Sequence, residues 1–141
     1  MISFKTVLII LFLILFVETL SSIGSWQWIV PWLDMPMHFA GGIWVALLFF
    51  YLDENYFKIS NKIARYLSTI SFTMLTGVLW EFAEYIYSVF FPSSVFSLFK
   101  FPMNLYRDTL GDLFFDLAGA LFFCLLYFIV DKFGKANRMG V

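Results

Sequence analysis

The chain has 141 residues, of which 62% are hydrophobic and 23% aromatic, while only 13% are charged. Soluble domains are about half apolar and about a quarter charged, so this composition, with a mean hydropathy of +0.86, excludes a disordered chain, a disulfide scaffold and an ordinary soluble enzyme. Nine basic against ten acidic residues leave no basic face for nucleic acid, and the lone cysteine, Cys124, has no partner for an internal bridge.

Four apolar stretches approach the roughly 20 residues that a helix needs to cross a bilayer. They run from Thr6 to Ile23, Met35 to Leu52, Leu67 to Phe91 and Thr109 to Val130. The expected fold is an all-α membrane protein, a single domain over residues 1–141 built as a bundle of four transmembrane helices with short loops. The first connection carries Trp26 and Trp28, followed by Trp32, and reads as an interfacial aromatic belt. The second, Asp53 to Tyr66, is polar. The third, Pro92 to Asp108, is aromatic and broken by Pro102, and reads as an interfacial helix or re-entrant turn between helices 3 and 4. Lys5 and the small residues Ser21, Ser22 and Gly24 partly resemble a signal peptide. Cleavage would leave an odd number of spans, and the first stretch is taken as a true span.

With four spans, both termini and the central loop share one side. That side holds Lys5, Lys58, Lys62, Arg65, Lys132, Lys135 and Arg138, against Lys100 and Arg107 on the other. The positive-inside rule then puts the termini in the cytoplasm; the expected location is the plasma membrane.

The acids are distributed the other way. Asp53, Glu54 and Asp131 fall on the cytoplasmic side, whereas Glu18, Asp34, Glu81, Glu84, Asp108, Asp112 and Asp116 fall in the outer half. Asp34 and His38 are spaced i,i+4, Glu81 and Glu84 i,i+3, and Asp108, Asp112 and Asp116 i,i+4,i+8. Each set lies on one helix face. A charge facing lipid near the bilayer centre costs on the order of 3 kcal/mol, so these faces are expected to turn inward around an acidic cavity open to the outside. Clustered carboxylates cannot all ionise in a dry site. Either several stay protonated, or the cavity is wet, or a metal ion sits among them.

For the metal reading, His38, Glu81, Glu84, Asp112 and Asp116 are the candidate ligands, with a divalent magnesium, manganese, calcium or zinc as cofactor. Glu84 and Asp116 are also the candidate catalytic bases. Asp34, Asp108 and Arg107 stand at the mouth as substrate-binding candidates, although Asp34 and Asp108 equally suit helix N-caps. Glu18 reads as structural. Gly77, Gly111 and Gly119 read as packing positions, whereas Gly41 and Gly42 are set apart by their place one turn after His38.

The run Asp34-x-x-x-His38-Phe39-x-Gly41-Gly42 resembles the opening motif of VanZ-like membrane proteins. So does the later order of Glu81-x-x-Glu84, Arg107, Asp112, Asp116 and Gly119. Trp80-Glu81-x-x-Glu84 and Asp108-Thr109-x-x-Asp112 are closer still to the related YjdF-like inner-membrane proteins. The resemblance covers Asp34 to Gly119. Glu84 stands where VanZ-like proteins carry Gln, and Asp116 where they carry Asn, so this site is the more acidic. VanZ-like proteins are linked to teicoplanin resistance, and YjdF-like proteins are largely uncharacterised, so the resemblance implies a cell-envelope setting without a specific reaction.

Two functions from different classes follow. One is metal-assisted chemistry on a phosphate of a lipid or lipid-linked envelope precursor, with the bilayer as medium and the headgroup as partner. The other is a non-catalytic binding, accessory or cation- or proton-linked protein whose acids share protons or lock the bundle. Against a complete path through the bilayer, the inner halves of the spans carry few polar residues beyond Ser68, Ser71, Thr73 and Thr76.

Overall fold

The computed structural model describes residues 2–23, 32–90 and 105–138. They form four α-helices: α1 (Phe4–Ile23), α2 (Asp34–Leu52), α3 (Lys62–Phe90) and α4 (Leu105–Arg138). Trp26, Trp28 and the segment expected to lie along the interface, up to residue 104, fall outside the described residues. Among the described residues, three stretches are long and apolar enough to cross a membrane: Phe4–Ser21, Asp34–Phe57 and Tyr106–Gly134.

Local chemistry sets the boundaries. Pro36 is the third residue of α2, where a backbone N–H would have no intrahelical acceptor. At its far end α2 continues into one π-helical turn, Asp53–Phe57, closed by Lys58 in the left-handed region at φ 54°. The Lys58 N–H donates to the Asp53 carbonyl at 2.8 Å, and the Ile59 N–H donates to Asp53 Oδ1 at 2.9 Å. Asn61 then caps α3, its Oδ1 accepting the Ala64 N–H at 3.1 Å. The connection expected over Asp53 to Tyr66 therefore shrinks to four non-helical residues, 58–61. α4 likewise outruns its apolar stretch at both ends, because hydropathy marks the lipid-buried part of a helix and not the limits of its hydrogen bonding.

α2 and α4 form the principal pair, α3 packs on both, and α1 packs chiefly on α2. The pair meets at two glycines. A Cβ on Gly42 would collide with the backbone carbonyl of Asp116, and one on Gly119 with the carbonyl of Phe39. Small residues let membrane helices approach backbone to backbone in this way. Gly42 is thus a packing glycine after all, while Gly41 and Gly111 face open space and pack against nothing within 4 Å. Ala46 and Ala120 continue the contact, both fully buried. Further along, Phe50 fills the centre against Phe123 and Tyr127, with ring centroids 5.2 and 4.5 Å away. The Trp44 indole of α2 holds α1 by donating to the Val7 carbonyl at 2.9 Å.

α3 reverses the pattern of a soluble amphipathic helix. Its inward stripe is Thr69, Thr73 and Gly77, all buried. The buried hydroxyls are satisfied by carbonyls four residues earlier, Thr69 to Arg65 at 2.8 Å and Thr73 to Thr69 at 3.0 Å. Its outward face is Leu67, Leu75, Leu79, Phe82 and Ile86, each more than half exposed. Polarity on the inside lowers the overall hydropathy of α3 and leaves it out of the three spans recognised by composition.

The end of the bundle away from His38 is tied by charge. Asp53 is fully buried and pairs with Arg65 at 2.6 Å. The Arg65 guanidinium lies 5.8 Å over the Phe50 ring and donates to the Ile59 carbonyl at 3.2 Å. Glu54 accepts the Ile2 N–H and the Tyr127 hydroxyl, at 3.1 and 3.3 Å. Lys62 reaches Asp131 at 2.7 Å, joining α3 to α4.

Candidate functional site

The site grows out of the glycine crossing. His38 lies one turn before Gly42 on α2, and Asp34 one turn before that. On α4, Asp116 lies one turn before Gly119, and Asp112 one turn before Asp116. The close approach at Gly42 and Gly119 brings these two i,i+4 pairs face to face. His38 Nε2 lies 3.8 Å from Asp34 Oδ1 and 3.8 Å from Asp112 Oδ1, while its Nδ1 lies 3.4 Å from Asp116 Oδ1. α3 shapes the remaining wall, because a Cβ on Gly77 would overlap the Asp116 carboxylate. His38, Asp112 and Asp116 are buried, at 9%, 4% and 7% exposure. The Asp34 side chain is 48% exposed, so the cluster opens on its side.

One atom from each of Asp34, His38 and Asp112 can lie within 4.8 Å of the other two. A cation bound at about 2.0–2.4 Å by such atoms holds them roughly 3–4.5 Å apart, so the spacing suits a shared ion. One imidazole with carboxylates is also a chemically sensible donor set. Asp116 sits on the other ring nitrogen, where a carboxylate fixes the tautomer of a ligating histidine.

The remaining candidates are more scattered. Glu81, one turn beyond Gly77, has its Oε1 buried without a hydrogen-bond partner among the described residues, and Thr109 of α4 hydrogen-bonds the same carboxylate. Glu84 accepts the indole N–H of Trp80 on its own helix at 2.7 Å. Neither glutamate belongs to the ligand-competent group, whereas Asp34, expected at the mouth or as a cap, does. The N-cap position of α2 is Leu33, with Asp34 already in the first turn. Arg107 and Asp108 lie exposed in the first turn of α4, outside Asp112. Glu18 on α1 lies close enough to interact electrostatically with Asp34 and His38.

Sequence reasoning passed over Thr69 and the buried Asp53–Arg65 pair. The signal for the pair was available. A carboxylate at a helix C-terminus opposes the helix dipole, so Asp53 needed a cation, and Arg65 is the arginine that follows.

A family model described as "Predicted membrane protein (DUF2238)" matches residues 2–132. The chain belongs to this family. No curated protein and no solved structure matches it. As a DUF2238 protein with several apolar helices, it is a multi-pass membrane protein of the lipid bilayer, and it holds a buried cluster of His38, Asp112 and Asp116.

Proposed function

We propose that Asp34, His38 and Asp112 bind a divalent cation at the outer face of the plasma membrane, and that this centre acts on the phosphate of a lipid or lipid-linked envelope precursor. The observation that carries the reading is the convergence of these three donors, from two helices, on one small volume beside a half-exposed mouth. The cation offsets the charge of the surrounding carboxylates and polarises a phosphoryl oxygen. Asp116 orients His38. Glu81 on the adjoining helix, whose Oε1 has no hydrogen-bond partner among the described residues, takes a proton from water in this reading. Arg107 stands near the mouth to engage phosphate.

The topology in this reading has four crossings with both termini cytoplasmic. α3 is 29 residues long, about 43 Å at 1.5 Å per residue, against a hydrocarbon core of roughly 30 Å. Its exposed leucines, Phe82 and Ile86 suit lipid, and the seven-to-two distribution of basic residues sets the orientation. The shared motifs make VanZ-like and YjdF-like proteins the reference for comparison. A cysteine introduced at Asn137 in a Cys124→Ser background should label from the cytoplasmic side, and labelling only from outside overturns the orientation.

A second reading has one specific support: both nitrogens of His38 face carboxylates. A protonated His38 clamped between Asp112 and Asp116 would lock α2 to α4 without metal. Melting of the purified protein separates the two. With a cation at about 100 times its dissociation constant, binding to the folded state adds about 2.7 kcal/mol. The melting temperature should therefore rise on adding magnesium, calcium, manganese or zinc to chelated protein, and Asp34→Asn and Asp112→Asn should abolish the rise. Equal melting with chelator and with each cation favours the clamp and removes the main support for phosphate chemistry.

A further inference from the structure

At the end of the bundle away from His38, α3 and α4 leave a groove of about 480 Å³ between them, lined by Lys62, Ile63, Tyr66, Cys124 and Phe128. It is an open, apolar-lined groove on the flank of the bundle. Its layout is that of a membrane lipid. On α4, Cys124, Phe128 and Asp131 follow one another at i, i+4 and i+7, so the groove descends about 10 Å from a charged rim into an apolar wall. On α3, Lys62 and Tyr66 repeat this order, charge above and ring below. The rim carries both signs, Lys62 and Asp131, 2.7 Å apart.

We infer that this groove seats one acyl chain of a phospholipid with a primary ammonium headgroup, phosphatidylethanolamine, its phosphate at Lys62 and its ammonium at Asp131. The rim charges select the headgroup. Asp131 repels a purely anionic lipid, and the quaternary ammonium of phosphatidylcholine has no N–H to donate to the Asp131 carboxylate. An ethanolamine headgroup satisfies both partners and extends the ion pair into a four-charge alternation. The inference is independent of any metal at His38, and requires only that the flank between α3 and α4 faces lipid.

Cys124 is the sole cysteine and is 8% exposed, so its alkylation reports on the groove. The full chain in detergent micelles is treated with a small apolar maleimide, with and without added lipid, and modification is followed by mass spectrometry. With phosphatidylethanolamine at ten times its dissociation constant, the free groove and hence the labelling rate should fall about tenfold. Phosphatidylcholine and phosphatidylglycerol at the same mole fraction should protect much less. Asp131→Asn should erase the preference for phosphatidylethanolamine over phosphatidylcholine, and Lys62→Gln should weaken protection by all three. Equal protection of the wild type by the three lipids, or an intact preference in Asp131→Asn, overturns the inference. Should either variant label as fast as denatured protein without lipid, native mass spectrometry of the wild type decides. One retained phosphatidylethanolamine per chain, preferred over the other two, supports the site, and no preference overturns it.

Discussion

At one end of the bundle three aspartates surround a single histidine; at the other, Asp53, Glu54 and Asp131 each have a cation or a hydrogen-bond donor of their own. Both ends bury carboxylates. At the Arg65 end the fully buried Asp53 is neutralised by a guanidinium and held by a backbone N–H. At the His38 end two buried aspartates, Asp112 and Asp116, share one imidazole, which carries a charge only when protonated. Buried charge is costly unless paired. The first arrangement closes a structure, and the second leaves an electrostatic demand that a ligand or a proton can meet.

The sharpest way to break this contrast is Arg65→Ala. It strands Asp53 in a fully buried site, and removing one member of a buried pair costs about 3–5 kcal/mol. Unfolding of the variant in detergent should show that loss, and Asp53→Asn in the same background should recover part of it. A near-silent Arg65→Ala would show that this end is not held by its ion pair.

Next in size is the glycine crossing. Gly42→Ala and Gly119→Ala each force a methyl against backbone, and overpacking of this kind costs about 1–3 kcal/mol. Gly41→Ala and Gly111→Ala meet open space and should stay within about 0.5 kcal/mol of wild type. Equal effects at all four positions would remove the close approach from the account.

Asp112→Asn sharpens the contrast by its sign. In chelated protein it removes one of the carboxylates crowding His38, and stability should hold or rise. With a divalent cation present, the same variant should fall below wild type, because a ligand is lost. Destabilisation in both conditions would put Asp112 in the same class as Asp53. The smallest effect belongs to Lys62→Gln, whose ion pair is largely exposed on the lysine side. Its loss should cost no more than about 1 kcal/mol in unfolding measurements.

Much of this was legible in the sequence, because bilayer physics is restrictive. Apolar runs marked all four helices, α3 being the one too polar to count as a span by composition, and the i,i+4 spacing of Asp34 with His38 and of Asp112 with Asp116 foretold the faces that meet. The helix ends were harder, since Asp53 and Lys58 extend and close α2 through a π-turn that depends on the Asp53 side chain. Within the acidic set, spacing could not say which acid turns where. Glu84 has a local partner in Trp80, while Asp34 turns toward His38, and that sorting depends on the packed geometry of the helices. The same holds for Gly42 and Gly41, adjacent in sequence but rotated by 100° about the helix axis, so that one touches α4 and the other does not.

The close crossing of α2 and α4 at Gly42 and Gly119 also sets a lever length. Asp34 stands eight residues beyond Gly42, an arm of roughly 12 Å along the axis. A change of about 5° in the angle between the helices moves the tip of such an arm by about 1 Å, comparable with the difference between a bound and a broken coordination distance. The gap between Asp34 and Asp112 is therefore geared to the absence of a side chain at Gly42 and Gly119. A change of tilt at this crossing would widen or narrow the gap between Asp34 and Asp112.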